Sequence, residues 1–192
     1  MTIEQRQDLT EPRVPATPGD SDVTDPTPVT FRAAMGSFLS GVAVMTTEAH
    51  GVPHGMTANA VSSVSLTPPL VLVCVDRTAH MAAAVASAEV FALSFLAEDQ
   101  AGLSNHFADR RRGEGEEEFV GIDWSVAATG ARVLADAVGF VDCEVDTIAE
   151  AGDHLIVIGE VVALGARDDL APLAYFRGGY GGYQPAVALD SA

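Results

Sequence analysis

Apolar positions along this chain fall mostly in short strand-like runs, and only in three places do they recur at every third or fourth residue. Behind Thr30, read as an N-cap, Phe31, Met35, Phe38 and Leu39 keep helical spacing until Gly41, which predicts a short opening helix. VAVMTT (42–47), a turn through His50-Gly51 and the extended run GMTANAVSSVSL predict antiparallel strands joined by a tight hairpin. LVLVCV (70–75) lacks polar alternation and reads as a strand buried on both faces. The alanine-rich MAAAVASA predicts a helix, VFALSFL (90–96) a strand, and AEDQAGLSNHFAD an amphipathic helix with Leu103 and Phe107 four apart. Arg110 to Glu118 reads as a charged, mobile loop. AVGFVDCEVDTI (137–148), a turn at AEAGDH, LIVIGEVVALGA (155–166) and PLAYF then predict further strands, ahead of the glycine-rich RGGYGGYQP. Strands outnumber helices and hairpins connect them, so the expected class is mainly β (α+β), an antiparallel barrel with helices at its edge. No GxGxxG follows a strand, so a nucleotide would be bound without a Rossmann turn.

With 192 residues, 48% apolar and 19% charged, the chain is long enough for one well-cored domain. Residues 1–28 hold five prolines, six acids and few large apolar side chains, a composition that cannot offset ordering entropy and predicts a disordered acidic tail. No stretch nears the roughly 20 apolar residues of a membrane helix, and the start lacks an apolar signal core, which points to a cytoplasmic protein and no membrane partner. The net charge of −17 argues against nucleic acid as well. The basic residues are ten arginines and no lysine; Arg77, Arg177 and the run Arg110 to Arg112 are the candidates for a local anion site. The triple run reads as surface charge, because GEGEEE follows it directly and neutralises it. Cys74, Cys143 and Trp124 are assigned to the core, and the two cysteines and five histidines show no metal-ligand spacing.

Between Gly51 and His80 lies the densest set of small polar side chains. Thr57, Asn59, Ser62, Ser63 and Ser65 carry donors, while Gly55, Ala58 and Ala60 have little bulk, so a flat ring can approach the backbone. That describes a nucleotide seat, and it equally describes an ordinary solvated turn. No Ser-His-Asp set or paired carboxylates stand at convincing spacing.

Four segments in one order, GMTANAVSSVSLTPPLVLVCVDRT, FALSFLAEDQAGLSNHFA, GDHLIVIGEVV and PLAYFRGGY, with the opening FRAAMGSFLSGVAVMTT, resemble the flavin reductase family, the reductase components of two-component flavin-dependent monooxygenases. The resemblance runs from about Phe31 to Tyr183. It implies an FMN-binding split barrel, an antiparallel six-stranded Greek-key barrel with flanking helices over residues 29–183, a short C-terminal tail at 184–192, and a homodimer. Two positions depart from the family pattern: Ala60 stands where Ser is common and Ser94 where Asn is common.

The implied activity is NAD(P)H:flavin oxidoreduction. Hydride passes from NADH or NADPH to FMN or FAD, a step that asks for two stacked rings rather than an acid or base, and the reduced flavin diffuses to a partner monooxygenase. On this resemblance Gly55, Met56, Thr57, Ala58 and Asn59 meet the isoalloxazine, with Thr57 and Asn59 stabilising its N1/C2 edge. Ser62, Ser63, Val64 and Ser65, with Asp76, Arg77 and Thr78, face the ribityl chain and phosphate, Arg77 foremost. Phe95, Leu96, Ala97, Gln100, Leu103 and Ser104 cover the ring or an adenosine half. His154, in the GDH motif, meets the nicotinamide as the catalytic candidate, together with Arg177, Gly178 and Tyr180. The rival readings are a non-catalytic flavin-binding protein and a split-barrel oxidase that holds its flavin tightly.

Overall fold

The computed structural model describes residues 23–183, so the ends of both predicted tails, 1–22 and 184–192, lie outside the described residues. The chain divides into a unit ending at Met35 and a larger one from Gly36. In the first, helix α1 spans Pro28–Met35. Its cap is Thr27 rather than Thr30: the Thr27 N–H donates to Thr30 Oγ1 (2.9 Å) and the Thr30 N–H to Thr27 Oγ1 (3.3 Å), a reciprocal pair that satisfies the first turn. The helix stops where Gly36 and Ser37 follow, two weak helix formers, so Phe38 and Leu39 fall beyond it and no helix residue is buried.

The larger unit is built from strands β1 (Ser40–Gly41), β2 (Ala43–Ala49), β3 (Val52–Ala58), β4 (Val61–Leu66), β5 (Pro69–Asp76) and β6 (Val90–Phe95), with helix α2 (His80–Ala88) inserted before β6. Helix α3 (Ala101–Ala108), β7 (Trp124–Val126), β8 (Arg132–Leu134), β9 (Gly139–Ala151), β10 (His154–Ala166), β11 (Leu173–Phe176) and β12 (Gly179–Gly182) complete it. The main sheet has seven strands in the order β3-β2-β6-β9-β10-β5-β4, every pair antiparallel. Its two outermost strands, β3 and β4, are the halves of the single predicted run GMTANAVSSVSL, bent at Asn59-Ala60. The sheet therefore curls around on itself without a closed hydrogen-bond ladder, which is the split-barrel arrangement, and the count of six becomes seven because one run serves both edges.

Turn chemistry fixes the register. His50 and Gly51 both have positive φ, 54° and 76°, giving a two-residue type I′ turn between β2 and β3. Arg177 and Gly178, at 49° and 83°, do the same between β11 and β12, so the glycine-rich RGGYGG is a hairpin. Gly152, at 64°, leads the two-residue turn that sets His154 at the start of β10.

The core lies inside the curl and under α2: Met45, Val73, Val75, Val85, Phe91, Leu93, Cys143 and Val157 are all without exposure. Burying a side chain of this size contributes about 1.5–3 kcal/mol. Strand β5 is buried on one face only. Val71, Val73 and Val75 point into the core, whereas Leu70, Leu72, Cys74 and Asp76 are half-buried, so the unbroken apolar run does not mark a strand covered on both sides. Trp124 is not in the core either; it is 42% exposed on β7, a strand missed in the sequence, and lies against the Arg132 guanidinium, 4.1 Å from its ring centre.

Candidate active site

A cavity of about 430 Å³ opens at the end of the sheet where β3, β5 and β10 meet the start of α2. Its floor is β3, His54 to Ala58, continued by Asn59 and Ala60; Cys74 and Asp76 of β5, Thr78 to Met81, Phe107 and Ala108 at the end of α3, and His154 enclose it. The antiparallel register puts Asp76 directly opposite His154, so two residues 78 positions apart stand side by side. His154 Nδ1 lies 2.8 Å from Asp153 Oδ1. That contact holds the Asp153 carboxyl below the usual range; an ionised carboxylate only accepts, so Nδ1 carries the proton and Nε2 has no partner among the described residues. Asp76 is held down to about 2, first by the Thr78 hydroxyl and then by the Thr78 N–H, both donating to Oδ1, with Arg110 on Oδ2 at 2.7 Å. The first turn of α2 has no side-chain cap at Ala79.

The remaining wall is the segment predicted as a mobile charged loop. It is folded instead. Gly115–Phe119 form a 3-10 turn with Glu118 and Phe119 buried. Glu118, its side chain 5% exposed, accepts the Gly55 N–H (2.9 Å) and Arg112 Nε (3.1 Å), and its carbonyl lies 2.7 Å from His106 Nε2. Arg112, 15% exposed, also donates to the carbonyls of Asp109 and Gly55. GEGEEE thus does neutralise one arginine of the run, Arg112, but through a largely buried pair that clamps the segment onto β3, while its Glu116 pairs with Arg132. Arg111, paired to Asp109, fits the surface reading, and Arg110 is also exposed but pairs with Asp76 rather than with GEGEEE.

The model of the flavin reductase like domain matches residues 35–184. The chain belongs to the flavin reductase-like domain family. It is 34% identical over 158 residues to the reductase subunit HsaB of a flavin-dependent monooxygenase from Rhodococcus jostii, covering 82% of this chain and 79% of that one. It is 41% identical over 135 residues to an NADH-dependent FAD reductase of Streptomyces globisporus, covering 70% and 74%. The solved NADH:FAD oxidoreductase of the same organism, in complex with NAD and FAD fragments, superposes with a TM-score of 0.79 at 34% identity, over 86% of this chain and 99% of that one.

In this flavin reductase-like domain the residues expected to hold flavin are divided. Gly55, Met56, Thr57, Ala58, Asn59, Asp76, Thr78 and His154 line the cavity together. Ser62, Ser63, Val64 and Ser65 lie on β4 outside it; Ser62 donates to the Ser63 carbonyl (3.1 Å), and Ser65 accepts the Thr67 N–H (3.2 Å). Arg77 also lies outside, paired to Glu150 at 3.3 Å and reaching the Gly152 carbonyl at 3.4 Å. Phe95 and Leu96 line a second, mainly apolar cavity of about 360 Å³ with Phe38, Leu39 and Val61, and Asn59 borders both cavities. Ala97 is buried, Leu103 packs on the cluster around Phe107, and Gln100 spends its amide on the Ala97 N–H and the Ala135 carbonyl. Ser104 Oγ meets Tyr180 Oη at 2.9 Å, while Arg177 sits over Phe176 with Nη2 3.4 Å from Ser37 Oγ, and Gly178 serves the hairpin turn.

Two expected roles change on contact with the geometry. The small size of Gly55 predicts room for a ring, yet a Cβ there would stand 2.3 Å from Phe107 Cε1: the glycine admits Phe107, and its N–H and carbonyl are already bound to Glu118 and Arg112. Thr57 donates its hydroxyl proton to the Ser104 carbonyl (2.6 Å), so it can accept but not donate toward a ligand. Asn59 has no side-chain partner among the described residues and keeps both functions. The family departure Ser94 is fully buried and accepts the Leu134 N–H (2.9 Å), placing it in the barrel wall. Arg110 and Arg112, of the arginine run named as an anion-site candidate and then read as neutralised, line the cavity, and His54, Phe107 and Glu118 are among the lining residues that the sequence did not single out for the site. Spacing carried no sign of Glu118, because its partners Arg112, His106 and Gly55 stand 6, 12 and 63 residues away along the chain.

Proposed function

We propose that this protein is an NAD(P)H:flavin oxidoreductase that takes FMN or FAD as a diffusible substrate and releases the reduced form to a flavin-dependent monooxygenase. The carrying observation is the cavity itself. Its volume lies in the range of small-molecule sites, about 300–1,000 Å³, and its chemistry suits a flat heterocycle: Met56, Ala58, Ala60 and Phe107 offer apolar faces, while Asn59, His154 and Arg110 offer polar edges. When bound, flavin supplies the redox chemistry, accepting two electrons from the reduced nicotinamide. The chain's part is then to bind, orient and exclude water. Asn59 hydrogen-bonds a ring edge, the Phe107 and Met56 side chains keep a ring face dry, and His154, fixed by Asp153, orients the nicotinamide. Among the described residues no group of three His, Cys, Asp or Glu is placed to hold a metal ion.

Weak holding fits release, and a micromolar dissociation constant amounts to only about −8 kcal/mol. We assign the protein to the cytoplasm, where reduced nicotinamide is made; no helix among the described residues is long and apolar enough to cross a membrane. A homodimer is supported by the apolar cavity beside exposed Phe38 and Leu39, a surface suited to a second subunit. The test is an anaerobic titration of purified protein with NADH and NADPH, with and without added FMN or FAD. Nicotinamide oxidation that needs added flavin is expected. Oxidation at the same rate without it would fit an oxidase with resident flavin, and flavin that binds but never bleaches would fit a storage protein.

A further inference from the structure

Two arginines line the cavity among the described residues, and they differ in what they are free to do. Arg112 is half-buried and spends Nε, Nη1 and Nη2 on Glu118, Asp109 and Gly55, so it cannot turn to a ligand without opening the wall it holds shut. Arg110 is 70% exposed and makes one side-chain hydrogen bond among the described residues, Nη2 to Asp76 Oδ2 at 2.7 Å. A guanidinium has five N–H donors, so most of its capacity is uncommitted at the cavity mouth. Its partner is easily parted from it. Asp76 already accepts the Thr78 N–H and hydroxyl on its other oxygen, and an exposed ion pair of this kind is weak. A phosphate, with a higher charge and paired oxygens, is a better bidentate partner than one carboxylate oxygen.

We propose that Arg110 is the phosphate receptor of this cavity, parked on Asp76 when the site is empty and exchanged onto a nucleotide phosphate when one binds. The assignment rests on the flavin reductase reading and moves the anion site from Arg77, which lies outside the cavity against Glu150, to the arginine run that looked self-neutralised. Asp76 is then a competitor. It recaptures Arg110 as the nucleotide leaves, and so keeps affinity low in a protein whose product must depart. Glu114, also on the cavity wall, adds a further negative charge there.

The shared chemistry is a phosphoryl group on either nucleotide, and the measurements separate the two. Binding of FMN and of riboflavin, which lacks the phosphate, is titrated by fluorescence for wild type, Arg110→Gln, Asp76→Asn, Arg77→Gln and the charge control Arg111→Gln. The Michaelis constant for NADH is read with riboflavin as acceptor. For a flavin phosphate, Arg110→Gln lowers the preference for FMN over riboflavin about tenfold or more, Asp76→Asn raises it about two- to fivefold, and Arg111→Gln matches wild type. For a nicotinamide phosphate, that preference holds while the NADH constant rises about tenfold in Arg110→Gln; this also supports the receptor. No change in either quantity, or the loss appearing in Arg77→Gln instead, overturns it. The preference is read by binding alone, so it decides the Arg110 assignment even where a wild type that failed to oxidise NADH with any flavin would sink the reductase reading.

Discussion

Replacing Gly55 with alanine tests whether the wall of the cavity is built as described. The added methyl carbon would lie 2.3 Å from Phe107 Cε1 and 2.5 Å from Cδ1, against a normal carbon contact of about 3.5–4.0 Å. Phe107 must shift by more than an ångström, yet it is 1% exposed and packed on Phe119 with ring centres 5.3 Å apart. Overpacking of this kind costs about 1–3 kcal/mol. For a chain of this length that lowers Tm by about 2 to 12 °C. Because Phe107 also faces the cavity, the same shift disturbs the ligand side, and loss of one aromatic contact, about 0.5–1.5 kcal/mol, weakens flavin about 2- to 12-fold. Gly159→Ala is the control: its methyl carbon would lie 2.6 Å from Phe91 Cε1 and 2.9 Å from Cys143 Cβ, an equal offence in the barrel core, with neither residue on the cavity. Thermal melts followed by near-ultraviolet circular dichroism, with flavin titrations on both variants, give the answer. Both should melt earlier and only Gly55→Ala should bind flavin less well; equal flavin losses in the two, or native affinity in Gly55→Ala, would refute the wall.

His154→Ala should raise the Michaelis constant for NADH more than that for flavin in steady-state assays, and the reverse ranking would remove its nicotinamide role. Asp142 is fully buried and accepts the N–H groups of Ala128 (2.7 Å) and Thr129 (2.8 Å) and the Thr129 hydroxyl, so Asp142→Ala strands buried donors; urea unfolding should show a loss of about 3–5 kcal/mol, with Asp142→Asn losing about half, and a loss within error would contradict the anchor. Asp76 and Asp109 have carboxyls lowered to about 2, the first by Thr78 and the second by Arg111, so the stability they add is present above their ordinary value near 3.8 and lost as pH falls toward about 2. Urea midpoints of wild type and Asp109→Asn should therefore differ at pH 7 and converge by pH 2, and a gap that widened in acid would reverse the sign. Burial, helped by neighbouring Asp142, pushes the Cys143 thiol up to about 12, so iodoacetamide with peptide mapping should label the half-buried Cys74 on the cavity first and spare Cys143 until the protein unfolds.

Much of the barrel could be read along the chain, because a strand's alternation and a hairpin's turn residues are local matters. The pairs His50-Gly51 and Arg177-Gly178 and the lead glycine Gly152 set where strands reverse, and the apolar runs between them had few other structures open to them. Motif order carried the family. What the chain order hid was every relation made by folding back. A continuous run such as LVLVCV says nothing about which face a neighbour covers, so Cys74 was assigned to the core although it borders the cavity. A helical pattern through Phe38 and Leu39 could not reveal that Gly36 ends the helix.

The cavity divides in the same way. Met56, Thr57, Ala58 and Asn59, on and just past β3, and His154 after the Gly152-Asp153 turn were named through the family resemblance, and they line one cavity. Arg110 and Arg112 were named as candidates but set aside, and Glu118 was not named, since RRRGEGEEE reads as charge cancelling charge. Composition and periodicity determined the class, the strands and the chemistry on offer, since each depends on interactions within a few residues. Only the tertiary structure decided which charges meet: burial of Glu118 against Gly55 turns one arginine into a clamp, and register with His154 sets Asp76 where it holds the other in reserve.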